Sequence, residues 1–92
     1  MNQLEILRES LGQCDEIILD ALLMRNRIVE DIMAYKEAND IPILQPEQEA
    51  KQKEWLERRM TDRRHKAEVE DVFGSITQNR MKIQARKLFN YN

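Results

Sequence analysis

Arg8, Arg25 and Lys36 punctuate an amphipathic N-terminal segment, Gln45, Gln48 and Glu49 open a second segment, and Arg80 and Gln84 stand one helical turn apart near the other end. A guanidinium presents a planar fork of N–H donors that matches a carboxylate, an ammonium is a compact point charge, and a primary amide donates without titrating. The chemistry open to such a set is the holding of a small anion. Nucleophilic and metal chemistry leave no pattern here: there is no catalytic triad and no phosphate-cradling glycine loop, Cys14 is a lone thiol, and His65 stands between Arg64 and Lys66 without companion ligands. The sequence points to no metal and no cofactor.

Arg25 is the most informative of these residues. Apolar positions recur at Leu4, Leu7, Leu11, Cys14, Ile18 and Ala21, and the next step of that series lands on Arg25 before the pattern resumes at Ile28 and Ile32. An unpaired guanidinium in an apolar setting is costly, so Arg25 reaches solvent, pairs with an acid across a subunit boundary, or meets an anionic ligand. Lys36 lies eleven residues further on, close to three whole turns, which sets both cations on nearly one face about 16 Å apart. It also suits a solvated place at a helix C-terminus. Arg8 precedes Arg25 by 17 residues, roughly 25 Å of helical rise, and cannot join them within one chain. Two first helices packed antiparallel about a two-fold axis would bring Arg8 of one chain toward Arg25 and Lys36 of the other. Gln45, Gln48, Glu49 and Gln52 share a helix face, and Arg80 and Gln84 continue the side begun by Phe73 and Ile76. Each of these sets is also what a wet helix surface looks like.

Helices must position these side chains. The 92 residues include only two Gly and two Pro, and 35% are charged, a composition of long helices rather than turn-rich sheet. The expected fold class is all-α, one domain over residues 1–92, with so little interior that oligomerisation is expected. Net charge is -2, from 15 basic and 17 acidic residues, which gives no field to draw nucleic acid or an anionic membrane. The cluster Arg58, Arg59, Arg63, Arg64 and Lys66 has acids nearby and almost no aromatics, as at a solvated helix end. No apolar run approaches the roughly 20 residues of a membrane span, and the start lacks the pattern of a signal peptide, so a cytoplasmic location is expected.

The periodicity predicts a first helix from Leu4 to about Glu37, broken by a loop in which Pro42 and Pro46 disfavour helical geometry in the residues before them. Pro46 suits the first position of a second helix, with Gln45 in the N-cap place, and that helix is expected to run to about Arg64 with Ala50, Trp55, Leu56 and Met60 available for burial. Its end is marked by neither Gly nor Pro; Asp62 and the residues after it are the expected break. A third helix is expected from about Lys66 to Leu88, with Val69, Val72, Phe73, Ile76, Ile83 and Leu88 as its apolar stripe. Cys14, within the first seam, is expected to be a core thiol, and Trp55 a packing residue.

Leu7-Arg8-Glu9, Cys14-Asp15 with Ile17-Ile18, Leu22-Leu23-Met24-Arg25 and Tyr35-Lys36 resemble the first helix of the AroQ-class chorismate mutases. Ile41-Pro42-Ile43, Pro46 with Glu49, and Val72-Phe73 with Ile76 and Gln84 extend the resemblance over nearly the whole chain. It implies three helices per chain intertwined in a homodimer, two active sites each receiving one arginine from the neighbour, and rearrangement of chorismate to prephenate. A unimolecular Claisen rearrangement needs no nucleophile and no proton transfer, only restraint of the reactive conformer and donors for charge developing on the ether oxygen. By the resemblance Arg25, with Arg8 of the partner chain, grips the carboxylates, Lys36 and Gln84 donate to the ether oxygen, and Glu49 accepts from the ring hydroxyl.

The chain also departs from the family pattern. Gln45 stands where many members have an acid, Gln48 where they have an arginine, and Arg80 where a small hydroxyl residue is usual, so a positive charge lost at 48 could be restored from another helix. The turn before the third helix is shorter than usual. Two other readings share these residues: elimination of pyruvate from isochorismate to give salicylate on the same scaffold, and a helical binding or interaction module without turnover.

Overall fold

The computed structural model describes residues 1–43 and 46–89, and the side chains of all these except Leu88 and Phe89. The expectations for Gln45, and for burial of Leu88, lie outside the described residues. Helix α1 spans Gln3–Ala38, helix α2 Pro46–Arg59 and helix α3 Lys66–Phe89. Among the described residues there is no strand, and no helix is long and apolar enough to cross a membrane.

Asn2 starts α1. Its Oδ1 accepts from the Glu5 backbone N–H at 2.8 Å, and its amide donates to Glu5 Oε1 at 3.2 Å, so the first turn is held from both sides. At the other end Asp40 takes a left-handed backbone conformation with φ of 55°, and the Ile41 N–H reaches back to the Lys36 carbonyl at 2.8 Å. That six-residue closure stops the helix where a glycine would ordinarily stand.

α2 begins at Pro46, as its fixed φ favours, but ends at Arg59, five residues before the expected Arg64. The cause is Asp62. Its carboxylate accepts from the Arg64 backbone N–H at 3.0 Å and pairs with the Arg64 guanidinium at 3.1 Å, capping a 3₁₀ turn at Arg63–His65 that leads into α3 at Lys66. Lys66 ties the corner together, with Nζ 2.9 Å from Glu57 and 3.7 Å from Glu70.

α1 packs against α3 through its C-terminal half. Val29 and Met33, four residues apart, are the buried apolar residues there, whereas Ile28 and Ile32 of the expected seam are about half exposed. Upstream the whole stripe faces out of the chain: Leu4, Leu7, Leu11 and Ile18 are exposed, as is Cys14, which is therefore not a core thiol within this chain. α2 lies over α3 through a T-shaped contact of Trp55 with Phe73, ring centroids 6.0 Å apart, with the Arg59 guanidinium over the indole. Leu56 and Met60 are half-buried; Ala50 is exposed. On α3, Val69, Phe73, Ile76 and Ile83 are half-buried and Val72 is exposed.

The chain is elongated, 56 Å in its longest dimension with a radius of gyration of 17.0 Å, against about 12 Å for a compact chain of this length. It exposes 7923 Å², where a compact monomer of this mass exposes about 5,600 Å².

Candidate functional site

A cavity of about 480 Å³ opens where the C-terminal half of α1, the start of α2 and the second half of α3 meet. Its size is that of a site for a small organic molecule. Each helix contributes because a polar side chain shares a face with apolar ones: Val29, Ile32 and Lys36 on α1, Pro46, Gln48 and Glu49 on α2, Arg80, Met81 and Gln84 on α3, with Ile43 from the intervening loop.

The structure thus brings Lys36, Gln48, Glu49, Arg80 and Gln84 to one cavity. Lys36 donates from Nζ to the Ile43 carbonyl at 3.1 Å, which spends one of its three N–H groups and leaves two for a ligand. Gln84 is 9% exposed, the one buried polar residue among those described. Glu49 Oε1 lies 3.4 Å from Arg80 Nη2, a loose ion pair joining α2 to α3. Thr77 donates to Gln52 Oε1 at 3.0 Å, about one turn further along α2 and one turn back along α3, and is a second tie between them. Gln48 is exposed at the cavity wall.

Arg25 does not line the cavity, yet it is half-buried and feels it. Burial, and next the nearby positive charge of Arg80, push its pKa below the usual arginine value. Such a guanidinium gains from a neighbouring anion. Arg8 is exposed on α1, 17 residues away, and is not brought to this cavity by its own chain. Gln45 falls outside the described residues.

Sequence reasoning did not single out the apolar walls, Val29, Ile32, Ile43, Pro46 and Met81, as site residues. The signal for one wall was present: Val29, Ile32 and Lys36 fall at i, i+3 and i+7, a second face of α1 beside the seam.

Chemically the site is a half-apolar pocket with two lining cations, a third alongside, two amides and one carboxylate. None of the lining residues is a serine, cysteine or histidine. Among the described residues there is also no group of three His, Cys, Asp or Glu side chains that could hold a metal ion. Such a set of side chains can hold a compact anionic molecule with apolar parts and can donate hydrogen bonds to its oxygens.

The family model described as "Chorismate mutase type II" matches residues 7–85. No curated protein and no solved structure matches the chain.

Proposed function

The chain belongs to the chorismate mutase type II family, and from that premise we propose that it catalyses the rearrangement of chorismate to prephenate in the cavity between its three helices. The observation that carries the proposal is the meeting of Lys36 from the end of α1 with Gln84 from α3 and Glu49 from α2 across one small pocket.

The reaction breaks one carbon–oxygen bond and forms one carbon–carbon bond within a single molecule, so the protein's work is positioning and electrostatics. The apolar walls of Val29, Ile32 and Met81 compress the substrate toward its reactive chair. As the ether bond lengthens, negative charge gathers on its oxygen, and the two free N–H groups of Lys36 and the amide of Gln84 donate to it. Glu49 uses Oε1 for Arg80, which leaves Oε2 to accept from the ring hydroxyl. Arg25 supplies a forked carboxylate contact at the α1 side.

The working unit is a homodimer in which Arg8 of each protomer enters the site of the other. Two facts support this. The exposed seam of Leu4, Leu7, Leu11 and Ile18 lies on the same helix as Arg8, and the chain's excess over a compact monomer, roughly 2,300 Å², is of the order that an obligate interface removes. The residues proposed for the site are then Lys36 and Gln84 at the ether oxygen, with Arg8, Arg25, Gln45, Gln48, Glu49 and Arg80 around the substrate.

The test is to incubate purified protein with chorismate and identify the product. Prephenate is expected. Chorismate left unchanged, or salicylate released from isochorismate without any prephenate from chorismate, overturns the proposal.

A further inference from the structure

Arg80 is the least satisfied charged group of the cavity. Its side chain is 17% exposed, and its one polar contact among the described residues runs from Nη2 to Glu49 Oε1 at 3.4 Å. Its Nε is buried and meets no acceptor among those residues. A guanidinium has five N–H donors, and one withdrawn from water gains from every acceptor it meets, so an oxygen-bearing group entering the cavity would find donors at Arg80. Glu49 meets Nη2, the terminal nitrogen that shares an edge of the fork with Nε, at a loose 3.4 Å; Nη2 carries a second N–H, and that N–H with the Nε–H is left for another acceptor.

The charges agree with that geometry. Lys36 and Arg80 line the cavity, Arg25 stands close enough for Arg80 to act on it, and Glu49 is the one lining carboxylate. Two neighbouring guanidinium groups repel, and an anion seated against both converts that repulsion into two attractions. Among the described lining residues α2 contributes no cation: it offers the neutral amide of Gln48 beside the Glu49 carboxylate.

We infer that Arg80 is a carboxylate-binding residue of this site, its Nε edge taking one carboxylate of the substrate with Arg25 beside it and Glu49 holding it in place. The inference rests on the proposed function and adds to it the wall toward which that carboxylate is drawn. Arg80 thereby sets a preference for the dianion over singly charged analogues.

Wild-type, Arg80→Gln and Arg80→Lys proteins are compared on chorismate and on its two monomethyl esters, the esters as substrates or competitive inhibitors, with circular dichroism to confirm helix content. Arg80→Gln is expected to raise KM for chorismate about 10- to 100-fold, the usual worth of a charged hydrogen bond, and to change kcat far less. Arg80→Lys recovers part of the loss, because an ammonium supplies charge without the fork. For one of the two esters, the one whose neutralised group faces Arg80, Arg80→Gln costs nothing. An unchanged KM in folded Arg80→Gln, or an equal loss for chorismate and both esters, overturns the inference while leaving mutase activity standing. A wild-type protein that leaves chorismate unchanged removes both together.

Discussion

The ammonium of Lys36 lies 3.1 Å from the carbonyl oxygen of Ile43, so the cation at the end of α1 also ties down the loop that closes one side of the cavity. The same residue has a backbone role too, since the Lys36 carbonyl accepts from the Ile41 N–H at 2.8 Å. Position 36 thus joins helix end, loop and pocket.

Replacing that side chain removes the tether to the loop and, in the proposed reaction, the charge at the ether oxygen. Lys36→Ala is expected to lower kcat for chorismate by about 10²–10³-fold, the range for loss of one preorganised donor. Circular dichroism should show unchanged helix content, because the backbone closure at Ile41 needs no side chain. Steady-state kinetics on the two proteins check this, and a kcat within a few-fold of wild type would remove Lys36 from the reaction.

Gln84 is buried and neutral, so donation from its amide does not depend on pH. Gln84→Glu makes the same donation conditional on a proton: the carboxylic acid donates and the carboxylate does not. Activity of the variant should rise as pH falls, whereas wild-type activity stays flat through neutrality. A pH–rate profile of Gln84→Glu that parallels the wild type would place the amide away from the reacting oxygen.

Asp40 holds a left-handed conformation at the end of α1 with φ of 55°. Glycine adopts it without the steric cost that a Cβ brings, although it also gives the unfolded chain more freedom. Asp40→Gly should stabilise the protein by about 0.5–1 kcal/mol, a rise of a few degrees in Tm. Thermal unfolding at fixed protein concentration is the check, and a lowered Tm would contradict it.

Glu57 and Asp62 both titrate below their usual carboxylate values, Glu57 first through its hydrogen bond from Lys66 and Asp62 first through its side-chain bond from Arg64. A carboxylate whose folded pKa is depressed contributes stability that is complete above its unfolded pKa, about 4, and is lost as pH falls through the folded value. Both groups are exposed, so the effect is small. The Glu57→Gln/Asp62→Asn double variant should lose less of its denaturant midpoint than wild type between about pH 5 and pH 3. Parallel curves would show that these pairs contribute nothing.

Much of the fold was legible because local signals were strong. Pro46 marks the start of α2, and the unbroken apolar period marks α1 and α3. The end of α2 was legible only in part: Asp62 was the expected break and caps the turn that follows, but with neither Gly nor Pro to mark it the helix was expected to reach about Arg64 and stops at Arg59. The face of α1 that meets α3 was not read: Ile28 and Ile32 continue the upstream seam, and Val29 and Met33, one position on, are the residues buried within the chain. Lys36 and Gln84 could be named as site residues from their resemblance to a family. The pressure of Arg80 on Arg25 could not, because it depends on how α1 and α3 cross.

A cavity shared between protomers can be tested by mixing two inactive proteins. In the proposed dimer, Arg8→Ala lacks the arm donated to the neighbour, and Lys36→Ala lacks the donor within its own pocket. In a hybrid dimer one site collects both defects and the other collects neither, so random exchange of equal amounts should restore about a quarter of wild-type chorismate turnover. A mixture that exchanges subunits fully and stays as inactive as its components would contradict the account.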